Sequence, residues 1–278
     1  MKNENLKDMN EEKYEILEVN AQDIIEGANI DAQVSTAKKY PRDIARSINN
    51  SIAMATMNED VARSCSYALI KNGKYISGPS VHLAKIIVSN WGNMRTDAKV
   101  VRITDKQIIS RGTCWDLEAN VASAFEVRMP IVDPRGDRYS DDIITTTGNA
   151  SNAIAYRNSV FAVIPRPIID SVINAAKQLI TGDLTEHAKL IHKRDAILTA
   201  FENDYNIDEQ SILKIIGKQS NSQINAEHIY IMCGILQSLR DGDTTVSDLV
   251  STTSDKKKDS VDRKKTVIKS KNNKIDLP

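Results

Sequence analysis

Arginine and lysine side chains recur along three consecutive stretches in which β-branched residues alternate with polar ones. These stretches cover residues 94–103, 107–117 and 120–131, and a repeat of two is typical of β-strands that bury only one face. Cations along such a sheet could hold the phosphates of a nucleic acid, because a guanidinium group pairs with phosphate through two hydrogen bonds. The candidate DNA-binding residues are Arg95, Lys99, Arg111 and Arg128 on the strands, Arg135 and Arg138 on the loop that follows, and Arg157 and Arg166 beside the next helix, with Arg102 and Lys177 nearby.

The same cations also have a simpler interpretation as a solvated sheet face. The acidic residues Asp97, Asp116 and Glu126 lie in these stretches and could neutralise them in surface ion pairs. Such pairs contribute little free energy and need no ligand. Both interpretations stay open at the level of the sequence.

Two further features could contact a nucleic acid. The segment 78–80, Gly-Pro-Ser, precedes an apolar helix that ends near Gly92, and the free N–H groups at the start of a helix can bind phosphate. The alternative is an ordinary helix start after a hairpin. Trp91 and Trp115 could stack on bases, but Trp91 lies on an apolar helix face and core packing is the alternative for both.

The sequence offers little catalytic chemistry. It has no GxxxxGK(S/T) motif for nucleotide hydrolysis, so we expect a non-enzymatic protein without ATP-driven activity, cofactor or metal. His187 and His192 are five residues apart, not the four that would place two metal ligands on one helix face. The residues that could form a metal-dependent nuclease site, with a solvated acidic loop as the alternative, are Asp133, Asp137, Asp141 and Asp142.

The three cysteines, at positions 65, 114 and 233, are far apart and include no CxxC pair. This pattern favours free, buried thiols in a reducing compartment. We see neither an apolar signal segment nor a run approaching the ~20 apolar residues of a membrane span. The sequence therefore predicts a soluble, intracellular protein.

The net charge of zero over 278 residues is a cancellation between segments. Residues 1–35 carry three lysines and nine acidic residues, whereas residues 255–278 carry nine basic and four acidic residues. The central segment 71–180 carries fourteen basic and ten acidic residues. The basic central segment and the basic C-terminal segment can therefore still bind a polyanion.

The periodicity predicts an α+β fold: an antiparallel three-stranded β-meander plus a small hairpin packed with helices, followed by an all-helical C-terminal module. The hairpin turns at Asn72-Gly73, and the meander turns at 104–106 and 118–119. The predicted segments are an acidic flexible leader (1–35), an α+β core (36–183), a helical C-terminal module (184–250) and a disordered basic tail (251–278).

The segments 67–93 and 115–121 resemble a protein family. The run Tyr67-Ala68-Leu69, Gly73-Lys74, Ile76-Ser77-Gly78-Pro79-Ser80-Val81, Leu83-Ala84 and Trp91-Gly92-Asn93, followed by Trp115-Asp116-Leu117-Glu118-Ala119-Asn120-Val121, is similar to phage and prophage single-strand DNA-annealing recombination proteins. These belong to the RecT/Redβ-like superfamily, with a β-β-β-α core shared by a eukaryotic annealing protein. The resemblance covers about residues 40–180; the family pattern has Arg where this chain has His82, which puts a cation at that position in doubt.

The resemblance implies ATP-independent binding of single-stranded DNA and annealing of complementary strands in phage-type recombination. It also implies a homo-oligomer, as a ring or a helical filament, in the host bacterial cytoplasm. Possible partners are a phage exonuclease or the host single-strand-binding protein, met through the C-terminal module, whose segment 241–246 is similar to the end of such phage proteins. Two alternatives stay open: a metal-dependent DNA-processing nuclease, and a non-enzymatic phage interaction protein without DNA affinity.

Overall fold

A computed structural model describes residues 23–71, 74–133, 135–182 and 187–249. Helices and strands are mixed in the first half of the chain, and the described part of the second half is helical. The helices are α1 (23–39), α2 (Ile44–Ala55), α3 (Glu59–Ser64), α4 (Val81–Trp91), α5 (Asp141–Val163), α6 (Arg166–Thr181), α7 (His187–Tyr205), α8 (Glu209–Ile215), α9 (Ala226–Arg240) and α10 (246–249); the strands are β1 (Ser66–Lys71), β2 (Lys74–Pro79), β3 (Met94–Ile103), β4 (Gln107–Asp116) and β5 (Val121–Pro130).

Strands β3, β4 and β5 form an antiparallel meander in that order. Arg111 in the central strand pairs with Lys99 of β3 and Glu126 of β5. The register of β3 shifts between Val100 and Arg102, and such a bulge increases the local twist at a sheet edge. The predicted fold class is confirmed: the protein is α+β, with a three-stranded antiparallel sheet, a two-stranded hairpin and helices after the strands.

Helix α5 packs across one face of this sheet. The side chains of β4 that face α5 are those at even positions, from Ile108 to Asp116, and all are buried. The helix crosses β4 at Gly112, where an added Cβ would lie 2.1 Å from the carbonyl oxygen of Ala155. Only glycine fits this crossing without a shift of the backbone, so the approach of α5 leaves the opposite face of the sheet as the accessible one.

A network of ion pairs and hydrogen bonds joins the sheet to α2 and α4. The guanidinium of Arg42 donates to both carboxylate oxygens of Asp116, and its Nε donates to Glu118 Oε2 at 3.0 Å. The same guanidinium lies 4.7 Å from the ring centre of Trp91, and Asn93 Nδ2 donates to Glu118 at 2.8 Å. Segments 91–93 and 116–118 therefore hold the sheet against the helices.

The hairpin of β1 and β2 forms as predicted, although its turn residues 72 and 73 lie outside the described residues. Helix α9 packs directly on β1. An added Cβ at Gly234 would lie 3.0 Å from Ala68 Cβ, so glycine allows α9 to approach β1 this closely. The Ser238 hydroxyl accepts from the Ala68 N–H at 3.2 Å and lies 2.9 Å from the Ala68 carbonyl oxygen, to which it donates.

One hydrophobic core extends from α2 to α10 and includes Leu83 of α4, Ile169 of α6 and Ile235 of α9. The predicted boundary at 183–184 between an α+β core and a helical module does not coincide with a break in this core. Residues 23–35, for which the composition predicted flexibility, lie in α1. Residues 1–22 and the predicted basic tail, 251–278, lie outside the described residues.

Candidate nucleic-acid interface

The sheet face opposite α5 carries half of the ten cations that the sequence singled out; we call it the open face. Alternation along each strand sends every second side chain to this face, and each of them is exposed or half-buried. The open face consists of Arg95, Asp97, Lys99 and Arg102 of β3, Ile109, Arg111, Thr113 and Trp115 of β4, and Ala122, Ala124, Glu126 and Arg128 of β5.

Cations outnumber carboxylates on the open face by five to two. Arg111 Nη2 lies 2.7 Å from Glu126 Oε1, and Arg95 Nη2 lies 2.7 Å from Glu26 Oε1 of α1. All four side chains are more than a third exposed, so water and a ligand can compete for these ion pairs. The other three cations, whose side chains have no hydrogen-bond or ion-pair partner among the described residues, are Lys99, Arg102 and Arg128.

The strand register orders the open face from a cationic end to an aromatic end. In one row Arg102 and Arg128 flank Ile109 of β4. In the row at the other end, Trp115 lies between Arg95 and the small side chain of Ala122. A polyanion that crosses the face from the cationic end would therefore contact the guanidinium groups first and the flat apolar surface of Trp115 beyond them.

The loop between β5 and α5 extends the cationic end. Arg138 forms a bridge with Val132, and its Nη1 donates to the Thr104 carbonyl oxygen at 3.4 Å, in the turn between β3 and β4. Arg135 is exposed in the same loop, and its backbone N–H donates to Asp133 Oδ1 at 2.8 Å. Both predicted arginines thus lie at the end of the sheet where Arg102 and Arg128 lie.

Arg157 is not part of this surface. Its side chain is only 8% exposed, its Nη1 lies 2.9 Å from Asp243 Oδ2, and its guanidinium lies 4.1 Å from the ring centre of Tyr67. Burial raises the pKa of the Asp243 carboxyl above its ordinary value, although Arg157 acts in the opposite direction. The structure commits Arg157 to internal packing, so we remove it from the candidate DNA-binding set.

Arg166 and Lys177 also lie away from the open face, on α6, which packs against α2, α3 and α9. Arg166 Nε donates to Asp170 at 2.7 Å, one helical turn further on. Lys177 Nζ donates to Glu227 at 2.7 Å. Both are solvated ion pairs on a helix surface, which is the simpler of the two interpretations of these cations.

The two tryptophans have different environments. Trp91 is 6% exposed and donates from Nε1 to Asp116 at 3.3 Å, so core packing is confirmed for it. Trp115 is half-buried on the open face, where its Nε1 donates to Asn120 Oδ1 at 3.3 Å. The side of the sheet that Trp115 faces could not be predicted, because an indole in a strand of alternating pattern can face either side.

Segment 78–80 forms an ordinary helix start. Ser80 is fully buried, and its Oγ accepts from the Leu83 N–H at 3.2 Å as the N-cap of α4. This capping bond satisfies a backbone donor that an anion would otherwise meet. The phosphate-binding alternative for this segment therefore receives no support.

The acidic residues near α5 serve backbone geometry in the described structure. Asp133 Oδ1 accepts from the backbone N–H groups of Arg135 and Asp137, and Asp141 and Asp142 lie in the first turn of α5, where negative charge stabilises a helix. In the ranges that the structure describes, no three His, Cys, Asp or Glu side chains are close enough together to hold a metal ion. No observation therefore favours the nuclease alternative.

The cysteines have the buried environment that the sequence predicts, and the two histidines of α7 lie at its surface. His187 and His192 are exposed on α7. All three cysteines are free and buried, and burial raises the pKa of the Cys65 and Cys114 thiols to about 12 and that of Cys233 to about 11. A thiol that stays protonated at neutral pH is a poor nucleophile and a poor metal ligand.

Helix α1 places the carboxylate of Glu26 next to the open face. A groove of 640 Å³ separates α1 from the start of β3; Asn29 and Gln33 line it on one side and Arg95 on the other. Apart from Ile30, Val34 and Ala37, the helix is exposed along its length. Sequence reasoning missed this helix, and it also missed Arg42, whose only signal was a position just before a helix.

No protein-family model matches the chain, and no curated protein or solved structure is significantly similar to it. Within the described ranges, no helix has the length and apolar composition needed to cross a membrane. The open face is thus the feature from which function can be argued.

Proposed function

We propose that the protein binds single-stranded DNA on the open face without ATP and promotes the annealing of complementary strands. The observation that carries the proposal is the combination, on one uncovered sheet face, of five cations with a half-buried tryptophan. A cationic surface that follows the sugar-phosphate backbone, together with flat groups on which bases stack, is the usual composition of a single-strand binding surface.

The cations of the open face are suited to phosphate. Side chains on neighbouring strands of a sheet are about 5 Å apart, and alternate side chains on one strand are about 7 Å apart. The three cations without a side-chain partner, Lys99, Arg102 and Arg128, can therefore bind successive phosphates. Arg95 and Arg111 can exchange their exposed carboxylate partners for phosphate. Contacts of this kind carry no base identity, so we expect binding that tolerates any sequence.

Annealing needs many protomers on one strand, and we propose a homo-oligomer, as a ring or a helical filament. The two outer strands, β3 and β5, have one free edge each among the described residues, and Val121 and Phe125 of β5 are 49% and 43% exposed. Head-to-tail contact between such edges generates a ring or a helix. A cytoplasmic location, and recruitment of an exonuclease or a host single-strand-binding protein through the C-terminal residues, complete the proposal.

Fluorescence anisotropy of a labelled single strand of about 40 nucleotides, longer than the site of one binding domain, tests the proposal. The titration contains a metal chelator and is run at about 50 and about 200 mM salt. We expect binding that weakens with salt, followed by faster duplex formation than without protein when the complementary strand is added. Absence of binding at low salt would overturn the proposal and favour the interaction-protein alternative. Cleavage of the strand in a parallel reaction without chelator, and not in the reaction with it, would favour the nuclease.

A matched pair of double variants locates the binding surface. Lys99→Gln with Arg128→Gln removes two unpaired cations from the open face, and each lost phosphate contact lowers the steepness of log K against log salt by about 0.7, so we expect a decrease of about 1.4. Lys85→Gln with Arg166→Gln removes the same charge from exposed positions on α4 and α6 and should leave the slope unchanged. Equal effects of the two variants would assign binding to overall charge rather than to the open face.

A further inference from the structure

Trp115 and its neighbours form a shallow apolar area at one end of the open face. Ala122 lies directly across from Trp115 on β5, and Ala124 lies across from Thr113. Both alanines are exposed and end at Cβ, so no long side chain from β5 covers the indole. Arg95, across from Trp115 on β3, places a cation beside this area.

A hydrogen bond to the turn that follows β4 orients the indole of Trp115. Its Nε1–H donates to Asn120 Oδ1 at 3.3 Å, and Asn120 itself has the left-handed backbone conformation (φ 54°) of the turn between β4 and β5. The polar edge of the ring therefore has a partner within the turn. An indole that is held in place loses less conformational entropy on binding than a mobile one.

We infer that Trp115 is the residue on which an unpaired DNA base stacks, and that it gives the protein its preference for single strands. This inference rests on the proposed binding of DNA to the open face. In a duplex the bases are already stacked on one another, so only a single strand can offer a base to the indole without a cost of unstacking. The cations then hold the backbone, and Trp115 distinguishes the state of the bases.

Intrinsic fluorescence can follow this residue directly, because the chain contains two tryptophans and the other, Trp91, is buried beneath Arg42. Titration of the full chain with oligothymidine should quench the emission, as expected for stacking of a base on the accessible face of this half-buried indole. In Trp115→Phe the quenching should disappear while binding, measured by anisotropy, is retained. Quenching of equal size in Trp115→Phe would assign the signal to Trp91 and overturn the inference.

Affinity measurements separate stacking from phosphate contact. Trp115→Ile removes the aromatic face and replaces it with an apolar β-branched side chain, which is suited to a strand. We expect at least about five-fold weaker binding to oligothymidine, the lower limit of what one stacked base contributes, with an unchanged salt slope because no phosphate contact is lost. Phe161→Ile, at a half-buried aromatic of α5 behind the sheet, is the matched control and should bind as the unmodified chain does.

A strand of abasic residues, which keeps the phosphates and lacks the bases, completes the test. The unmodified chain and Trp115→Ile should bind it equally, because neither can stack a base that is absent. If Trp115→Ile binds oligothymidine as tightly as the unmodified chain, the stacking inference fails while the proposed function stands. If the unmodified chain binds neither strand at low salt, the proposed function fails and the inference fails with it.

Discussion

Arg111 and Arg157 have the same side chain and lie on adjacent layers of the fold, yet their environments give them different properties. Arg111 is 52% exposed and pairs with the exposed Glu126, so a phosphate can replace its partner at little cost. Arg157 is enclosed between Tyr67 and Asp243. Removing one member of a buried ion pair leaves an uncompensated charge, which destabilises a protein far more than the loss of a surface pair.

Replacement of Arg157 should therefore reduce stability and not DNA affinity. We expect Arg157→Met to lower the free energy of unfolding by about 3–5 kcal/mol at pH 7, the usual cost of breaking a buried pair. Chemical denaturation measures this change. The double variant Arg157→Met with Asp243→Asn, which removes both charges, should recover most of the loss, and weakened DNA binding by the folded fraction of Arg157→Met would return Arg157 to the interface.

The same pair predicts a pH dependence. Because burial raises the pKa of Asp243 in the folded state, the protonated carboxyl favours the folded state below the ordinary pKa, and this contribution is lost as the pH rises through the raised value. In Arg157→Met the guanidinium that lowers the pKa of Asp243 is absent, so this pKa rises further and its contribution to the pH dependence of stability grows. The stability deficit of this variant should thus be smaller at pH 4 than at pH 7, and an equal deficit at both would show that Asp243 does not sense the guanidinium.

At the scale of elements, helix α1 provides a competitor for the DNA that we propose binds to the open face. Glu26 lies 2.7 Å from Arg95, is 61% exposed, and belongs to an acidic N-terminal segment. We expect Glu26→Gln to raise the affinity for single-stranded DNA about 1.5- to 5-fold, the equivalent of one exposed ion pair, as measured by anisotropy at low salt. Asp31→Asn, an equal charge change at another exposed position of α1, should have a smaller effect, and equal effects would exclude a specific role for the Glu26 pair.

The elements differ in how far their sequences predict them. The period of two in β4 and β5 predicts which side chains share a face, because alternate residues of a strand must point to opposite sides. In helix α2, by contrast, the pattern of apolar residues does not predict which positions are buried, because the buried positions include Ser47 and Ser51. The Ser51 hydroxyl donates to the Ser47 carbonyl oxygen at 2.8 Å, and this local bond satisfies the hydroxyl of a buried polar side chain.

The accessible face of the sheet could not be predicted, for a physical reason. Both faces of β4 and β5 carry apolar and polar residues, so hydrophobicity does not decide between them. The decision comes from the packing of α5 at Gly112, where Gly112 contacts Ala155, a residue more than forty positions later in the chain. Long-range contacts of this kind also separate Arg157 from Arg111, since nothing in the local sequence around Arg157 indicates that Asp243 lies beside it.

At the scale of the whole molecule, the described second half of the chain completes the core of the first. Helix α9 covers β1 through Gly234 and Ser238, and its Ile235 is fully buried in the cluster that also contains Leu83. The apolar periodicity of α9 predicts a helix with a buried face, but it does not say which surface buries it. The structure assigns that surface to β1 and its neighbours, and the hairpin thus depends on residues 170 positions later.

This dependence predicts that a chain ending at residue 183 will not fold as a separate domain. Without α9, the Ala68 N–H and carbonyl lose their Ser238 partner, and the apolar side chains beneath are exposed to water. We expect loss of the near-ultraviolet circular dichroism signal and of cooperative unfolding, with binding of a hydrophobic dye. A chain ending at residue 250, which keeps α9, should retain all three native properties. Cooperative, native-like unfolding of residues 1–183 would instead establish the two-domain division that the sequence predicts.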